Sequence, residues 1–257
     1  MAPMHFTAGL DIAELVLWAF FLFFLGLIIY LRREDRREGY PLEDDVTGRI
    51  NSPGGILEMA KPKTFVLPFD LGTVTQPNGD RDSMNLRARR TGPWAGSPLV
   101  PTGNPLTAGV GPGSYALRAD RPDLNMEGHP RIVPMVGHPD FYVSRRDPDP
   151  RGFAVVGADR VVAGTVVDAW IDTADRVVRY LEVALPGGGS VLAPMFMATV
   201  ERKRRIIEVD ALLGHQFAGA PPAPVDGTIT LLQEELAQAY FGAGYLYATA
   251  ARQEPIL

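Results

Sequence analysis

Two short motifs bring ionisable side chains close together in the sequence. Gly-His-Pro occurs at residues 128–130 and again at 137–139, which sets His129 and His138 nine residues apart. Such a pair is either a surface metal-binding couple or two solvent-exposed histidines. The stretch "WIDTAD", residues 170–175, spaces Asp172 and Asp175 three apart. Aspartate is favoured in turns because its carboxylate binds nearby backbone amides, so both read first as turn residues.

The common catalytic devices are missing. The chain has no cysteine, which excludes disulfides, thiolate metal sites, iron–sulfur clusters and cysteine nucleophiles. Its four histidines supply a multi-histidine metal site poorly. Neither H-E-x-x-H nor G-x-S-x-G occurs. "GVGPGSY" at 109–115 lacks the preceding strand and following helix of a phosphate-binding loop, and "GGGS" at 187–190 reads as a hairpin turn. A net charge of -5 argues against a dedicated nucleic-acid binder, which would carry a strongly basic face.

The elements that would hold these residues fall into three zones. Residues 15–31, "LVLWAFFLFFLGLIIYL", contain no charge, and extending back to Ile12 makes twenty residues. A helix of that length spans roughly 30 Å, the thickness of a hydrocarbon core. Trp18 and Tyr30 lie toward its ends, where amphipathic rings favour headgroups. Residues 1–14 contain no Lys or Arg and no small-residue site follows the run, so a transmembrane helix is expected rather than a cleaved signal. Arg32, Arg33, Arg36 and Arg37 follow it, and the positive-inside rule then puts residues 1–11 outside and the bulk in the cytoplasm. Glu34, Asp35 and Glu38 are spaced to pair with these arginines along a helical extension over 32–40.

Sixteen of the 23 prolines lie between residues 41 and 150, so long helices and central strands are not expected there. Regular apolar anchors, among them Phe65, Trp94, Leu106, Ile132 and Phe141, predict an extended chain draped over its own core or a partner. Residues 151–257 change character. β-branched runs at 161–171, 177–185 and 205–209 are separated by turn chemistry at 157–159, 172–175 and 186–189. This spacing predicts a small antiparallel barrel. After "GAPPAPVDG" a helix is expected over 228–248, with Gly242 and Gly244 as interruptions. The fold class is therefore a single transmembrane α-helix, an extended loop-rich segment, a mainly-β domain and a C-terminal helix.

In this order the zones resemble the H-subunit family of the photosynthetic reaction centre of purple bacteria. The matching stretches are "LIIYLRREDRREGYPLE", "PKTFVLP", "PTGNPLTAGVGPGSYALR", "DPRGFAVVGAD", "AGTVVDAWIDTADRVVRYLEV", "LLGHQFAGAP" and "LLQEELAQAYFGAGYLYA". The resemblance implies a barrel of the PRC type on the cytoplasmic side of the bacterial inner, photosynthetic membrane, with residues 41–150 lying on partner subunits. It implies a non-enzymatic subunit that binds no cofactor itself and caps the L and M subunits. Those partners would hold bacteriochlorophyll, bacteriopheophytin, quinones, non-haem iron and carotenoid. A light-harvesting antenna and a cytochrome subunit are further expected neighbours, and nucleic acid is not. The alternative is a membrane-tethered PRC-barrel adaptor that assembles another complex.

The resemblance also assigns residues. Asp172 falls at a proton-path aspartate and Asp175 where some relatives carry a proton-delivering glutamate. Arg179, four residues on, is expected to pair with Asp175 and lower its pKa. At the proton mouth Glu127 replaces the first of two surface histidines, His129 keeps the second, and Asn125 replaces an acid. Tyr30, Arg32, Arg33, Arg36 and Arg37 are expected at the membrane rim, against lipid phosphates and partner surfaces.

Overall fold

The computed structural model describes residues 5–7, 10–40, 42, 49, 60–80, 87–94 and 96–253. It divides into two compact units, residues 1–83 and 84–257. In the first, strands β1 (His5–Thr7) and β2 (Leu10–Asp11) pair ahead of helix α1 (Ile12–Glu34). The Asp11 side chain accepts from the amide of Ala13 and caps the helix. None of its residues is buried, and its length and apolarity suit a membrane crossing.

The helix ends at Glu34, short of the run to residue 40 that the charge spacing predicts. The amides of Arg36 and Arg37 bond three residues back, to Arg33 and Glu34, and Gly39 takes a φ of 72°. Arg37 decides this geometry. Its guanidinium is 7% exposed and donates to the carbonyls of Lys61 and Gln76 at 2.8 and 2.7 Å and to the Glu34 carboxylate. Lys63 reaches the same carboxylate at 3.0 Å. These bonds fasten the helix end to a hairpin of β3 (Lys63–Val66) and β4 (Thr73–Gln76). Arg37 is thus turned inward, onto a carboxylate and two carbonyls of its own unit.

The second unit opens with a hairpin of β5 (Ala88–Arg90) and β6 (Leu99–Pro101). Its main sheet is built from β7 (Ile132–Pro134), β8 (Ala154–Val156), β9 (Val162–Asp172), β10 (Val177–Ala184), β11 (Ser190–Pro194), β12 (Thr199–Glu201) and β13 (Ile206–Glu208). The order is β11-β10-β9-β8-β13-β12, and β7 also pairs with β9. The eleven-residue β9 organises the sheet. β10 takes one edge, while β8 and β7 share the other along its first and last residues. One side of the sheet closes over a core containing Val155, Leu181, Val183, Ile207, Phe217 and Phe241, all fully buried. The opposite side packs Trp170 and Tyr180 with Ile132, Leu192 and Ile229.

Residues 101–136 lie on this unit's own core, one of the two surfaces their apolar anchors allow, with Leu106, Val133 and Met135 buried in it. Two expectations change here. The sheet is not wholly antiparallel, because β13 runs parallel to β8. And helix α2 (Leu231–Tyr247) runs unbroken through both glycines. A reciprocal capping box starts it, with Gln233 N donating to Thr230 Oγ1 and Thr230 N to Gln233 Oε1. Gly242 and Gly244 let other backbone come close. A Cβ on Gly242 would stand 2.7 Å from the Pro112 carbonyl oxygen, and one on Gly244 would overlap the carbonyl of Ala211.

Gly244→Ala therefore forces the helix off its seat and is expected to destabilise the chain by about 1–3 kcal/mol, as overpacking does. Gly187→Ala, in the open β10–β11 turn with nothing near its Cβ, is expected to stay within about 0.5 kcal/mol. Denaturant midpoints of the full chain in detergent check the contrast.

Candidate functional site

Asp172 ends β9 and is 1% exposed. Its two carboxylate oxygens do separate work. Oδ1 accepts the amides of Ala174 and Asp175 at 3.0 and 2.9 Å, closing the turn into β10. Oδ2 accepts Arg131 Nε at 2.9 Å. The turn role that its residue type suggests and a charged contact thus coexist in one side chain.

Arg131 precedes β7, the strand paired with this end of β9 through Ile132 and Asp172. Its guanidinium spreads over three acids. Besides Asp172, Nη2 donates to Asp175 at 2.6 Å and Nη1 to Asp123 at 3.4 Å. Its carbonyl accepts both the amide and the hydroxyl of Thr173. Arginine suits this place, since its planar fork offers several donors in fixed directions and keeps its charge when partly buried.

The electrostatics follow. Burial opposes the ionised form of Asp172, but donation from Arg131 and from the two turn amides outweighs it and holds the carboxyl below its ordinary pKa. Arg131 is in turn held more firmly protonated, first by its bond to Asp172, against some desolvation, and further by the charges of Asp175 and Asp123.

The loop leading to Arg131 carries the other expected residues. The Arg131 amide donates to the Asp123 carbonyl, and Asn125 N to the His129 carbonyl at 2.9 Å. The Asn125 side chain accepts the amides of Glu127 and His129 at 3.1 and 3.0 Å. Asn125 thus serves as the loop's internal clasp. Glu127 and His129 stand exposed at the tip. Glu127 and His129 therefore sit at one end of a loop whose other end grips Asp172 and Asp175.

Arg179 does not join them. β10 bulges between Val178 and Tyr180, which leaves Arg179 exposed and forms no ion pair with Asp175. Its charge acts instead on Glu234 of α2. The cation that pairs with Asp175 is Arg131, 44 residues earlier. No local spacing signals it, although a single arginine just ahead of the short "IVP" strand is a visible candidate. Asp123 was equally hidden.

Among the described residues no three His, Asp or Glu side chains are placed to hold a metal ion. His129 is exposed and His138 partly buried.

Comparison with known families gives two matches. Residues 4–136 match the family described as photosynthetic reaction centre, H-chain N-terminal region. Residues 143–216 match the PRC-barrel domain.

Removing Arg131 leaves a buried carboxylate without its cation. Arg131→Ala is expected to cost about 3–5 kcal/mol near neutral pH, the usual penalty for breaking one side of a buried pair. A carboxyl with a lowered folded pKa contributes stability above its unfolded pKa and loses it as pH falls through the folded one. The gap between wild type and Arg131→Ala should therefore narrow in acid, as Asp172 takes up a proton. Denaturation of both chains across the pH range measures it.

Proposed function

The chain belongs to the photosynthetic reaction-centre H-chain family, and from that premise we propose that it caps the L and M subunits on their cytoplasmic side and carries protons toward the secondary quinone. The H chain is a subunit of a photosynthetic-membrane complex. In this reading its helix α1 is the single anchor, with the N-terminus periplasmic and Arg32, Arg33 and Arg36 beside lipid phosphates. Tyr30 lies a turn further in, half exposed. The pigments, quinones, iron and carotenoid belong to the partners, with an antenna and a cytochrome subunit as outer neighbours. This chain contributes structure and ionisable groups and performs no catalysis of its own. A generic PRC-barrel adaptor would account for residues 143–216 but not for the match over residues 4–136.

The observation that carries the proton-delivery reading is that one short loop bears exposed Glu127 and His129 together with Asp123 and Arg131. Arg131 in turn joins Asp123 to Asp175 and to buried Asp172 at the end of β9. A quinone that is reduced to quinol takes up two protons with its two electrons, and those protons must cross protein along hydrogen-bonded groups. Glu127 and His129 collect protons at the tip. Asp175, still half exposed, passes them along the cluster. Asp172 holds negative charge at the buried end, and Arg131 fixes the spacing of the acids. Arg179 borders this path from the β10 bulge rather than standing in it.

In the isolated complex, Asp172→Asn combined with Asp175→Asn is expected to slow the proton-coupled second electron transfer by about a hundredfold or more, the range for a lost proton-transfer group. Flash spectroscopy reads the rate, and an unchanged rate removes both residues from the path. Co-isolation of this chain from its native membrane without bacteriochlorophyll-containing partners would overturn the capping role itself.

A further inference from the structure

A second buried carboxyl lies in the same unit and is treated quite differently. Glu234, in the first turn of α2, is 9% exposed. Asp172 has a cation, but Glu234 forms no ion pair among the described residues. Its hydrogen bond comes from a neutral hydroxyl, Tyr180 Oη, at 3.0 Å. Tyr180 is itself 1% exposed and accepts in turn from Gln238 Nε2 at 2.8 Å, one helical turn beyond Glu234. Arg118, in the loop segment, is engaged by the neighbouring Glu235 at 3.5 Å. A carboxylate taken out of water without a cation is costly, and the cheaper state is the neutral acid.

We propose that Glu234, with Tyr180 and Gln238, is a proton-storing site of this subunit: a neutral carboxylic acid that exchanges its proton in response to the charge of the Asp123–Arg131 cluster. The inference deepens the proton-delivery reading and rests on it for its biological use, while the protonation state of Glu234 stands on its own geometry.

The surroundings define what the site senses. From β10 come the Tyr180 hydroxyl and the positive charge of Arg179. From the loop before β7 come the positive charge of Arg118 and the negative charge of Asp123. From α2 itself come Gln238 and Glu235, and at its start Thr230 donates to Asp120. Burial is the largest influence and favours the neutral form. Tyr180, Arg179 and Arg118 favour the ionised form, and Asp123 opposes it. Asp123 is also an acceptor of Arg131. The negative charge of Asp123 favours the neutral form of Glu234, so a change in the charge of the cluster shifts the proton held there. The two carboxyls are therefore complementary. Asp172 keeps a fixed negative charge and Glu234 keeps a movable proton.

The test uses the whole complex in detergent, carrying wild-type chain, Glu234→Gln or Tyr180→Phe. Infrared spectroscopy follows the carbonyl stretch of protonated carboxylic acids against pH. Wild type is expected to retain one protonated carboxyl above the pH at which ordinary glutamates ionise, and Glu234→Gln, which keeps an acceptor for Tyr180, is expected to lack it. Tyr180→Phe removes a donor that favours the ionised form, so the same band should persist and its midpoint should move to higher pH. A band that survives in Glu234→Gln, or no such band in wild type, overturns the proposal. Flash-induced proton uptake is then expected to fall in Glu234→Gln within the pH window where the wild-type band titrates. Band lost but uptake unchanged overturns the storage role. If instead the delivery reading fails, the double aspartate variant will transfer its second electron normally while the Glu234 band titrates as before, so the two failures have separate signatures.

Discussion

A single buried carboxylate constrains most of what surrounds it. Asp172 sits at the end of the central strand with almost no exposure, where an unpaired negative charge would be intolerable. Arg131 answers that charge, and in doing so it fixes three pieces of chain. β7 must run beside the end of β9, because the arginine immediately precedes it. The turn from Asp172 to Arg176 must close on the same carboxylate, through the amides of Ala174 and Asp175. The loop from Asp123 to Arg131 must return on itself, since the guanidinium binds the acid at the loop's start. The ionisable face of the unit and the strand pairing beneath it thus have one cause.

The same solution appears in the other unit with different parts. Arg37 is as buried as an arginine usually becomes, and every direction of its guanidinium is used, by one carboxylate and two backbone carbonyls. Charge-assisted bonds of this kind are strong and directional. Here they determine where a helix stops. An uninterrupted row of charges after an apolar helix suggests continued helix, yet the pull of Arg37 on the hairpin carbonyls ends it at Glu34. In both units an arginine that looks like surface charge in the sequence is the internal tie.

How much of this the sequence made legible depends on range. The apolar helix, the long strands β9 and β10 and the turn between them follow from local periodicity and turn chemistry, and all lie close to the expected positions. Asp172 and Asp175 read as turn residues by type, which Asp172 is, and became candidate acids only through the family resemblance. Their partner was not legible. Arg131 lies 41 residues from Asp172 and the expected partner only four from Asp175, so a local rule chose Arg179, which a bulge in β10 then carries away. The parallel pairing of β13 with β8 is hidden for the same reason, as no hairpin announces it. Glycine misled in a different way. Its helix-weakening propensity is real, but at Gly242 and Gly244 close approach of another backbone matters more.

That close approach explains how the end of one family match and the whole of the other come to form one unit. The H-chain match ends at residue 136 and the barrel match begins at 143, which suggests a domain boundary between them. The chain instead divides near residue 83. Residues 101–136 are fastened to the barrel by three independent devices. Leu106, Val133 and Met135 enter its core. β7 extends its sheet. The tight turn Gly111–Gly113 lies against the small-residue face of α2, so close that a Cβ on Gly113 would stand 2.8 Å from that of Ala243. Each contact needs the other sequence to be present. Its prolines leave the segment over 101–136 few backbone donors for a sheet of its own, and the barrel without it would expose β9 along the edge that β7 covers, a liability for any sheet. The loop that bears Glu127 and His129 belongs to that segment, and Asp172 to the barrel, so the candidate residues share one unit only because the two pack together.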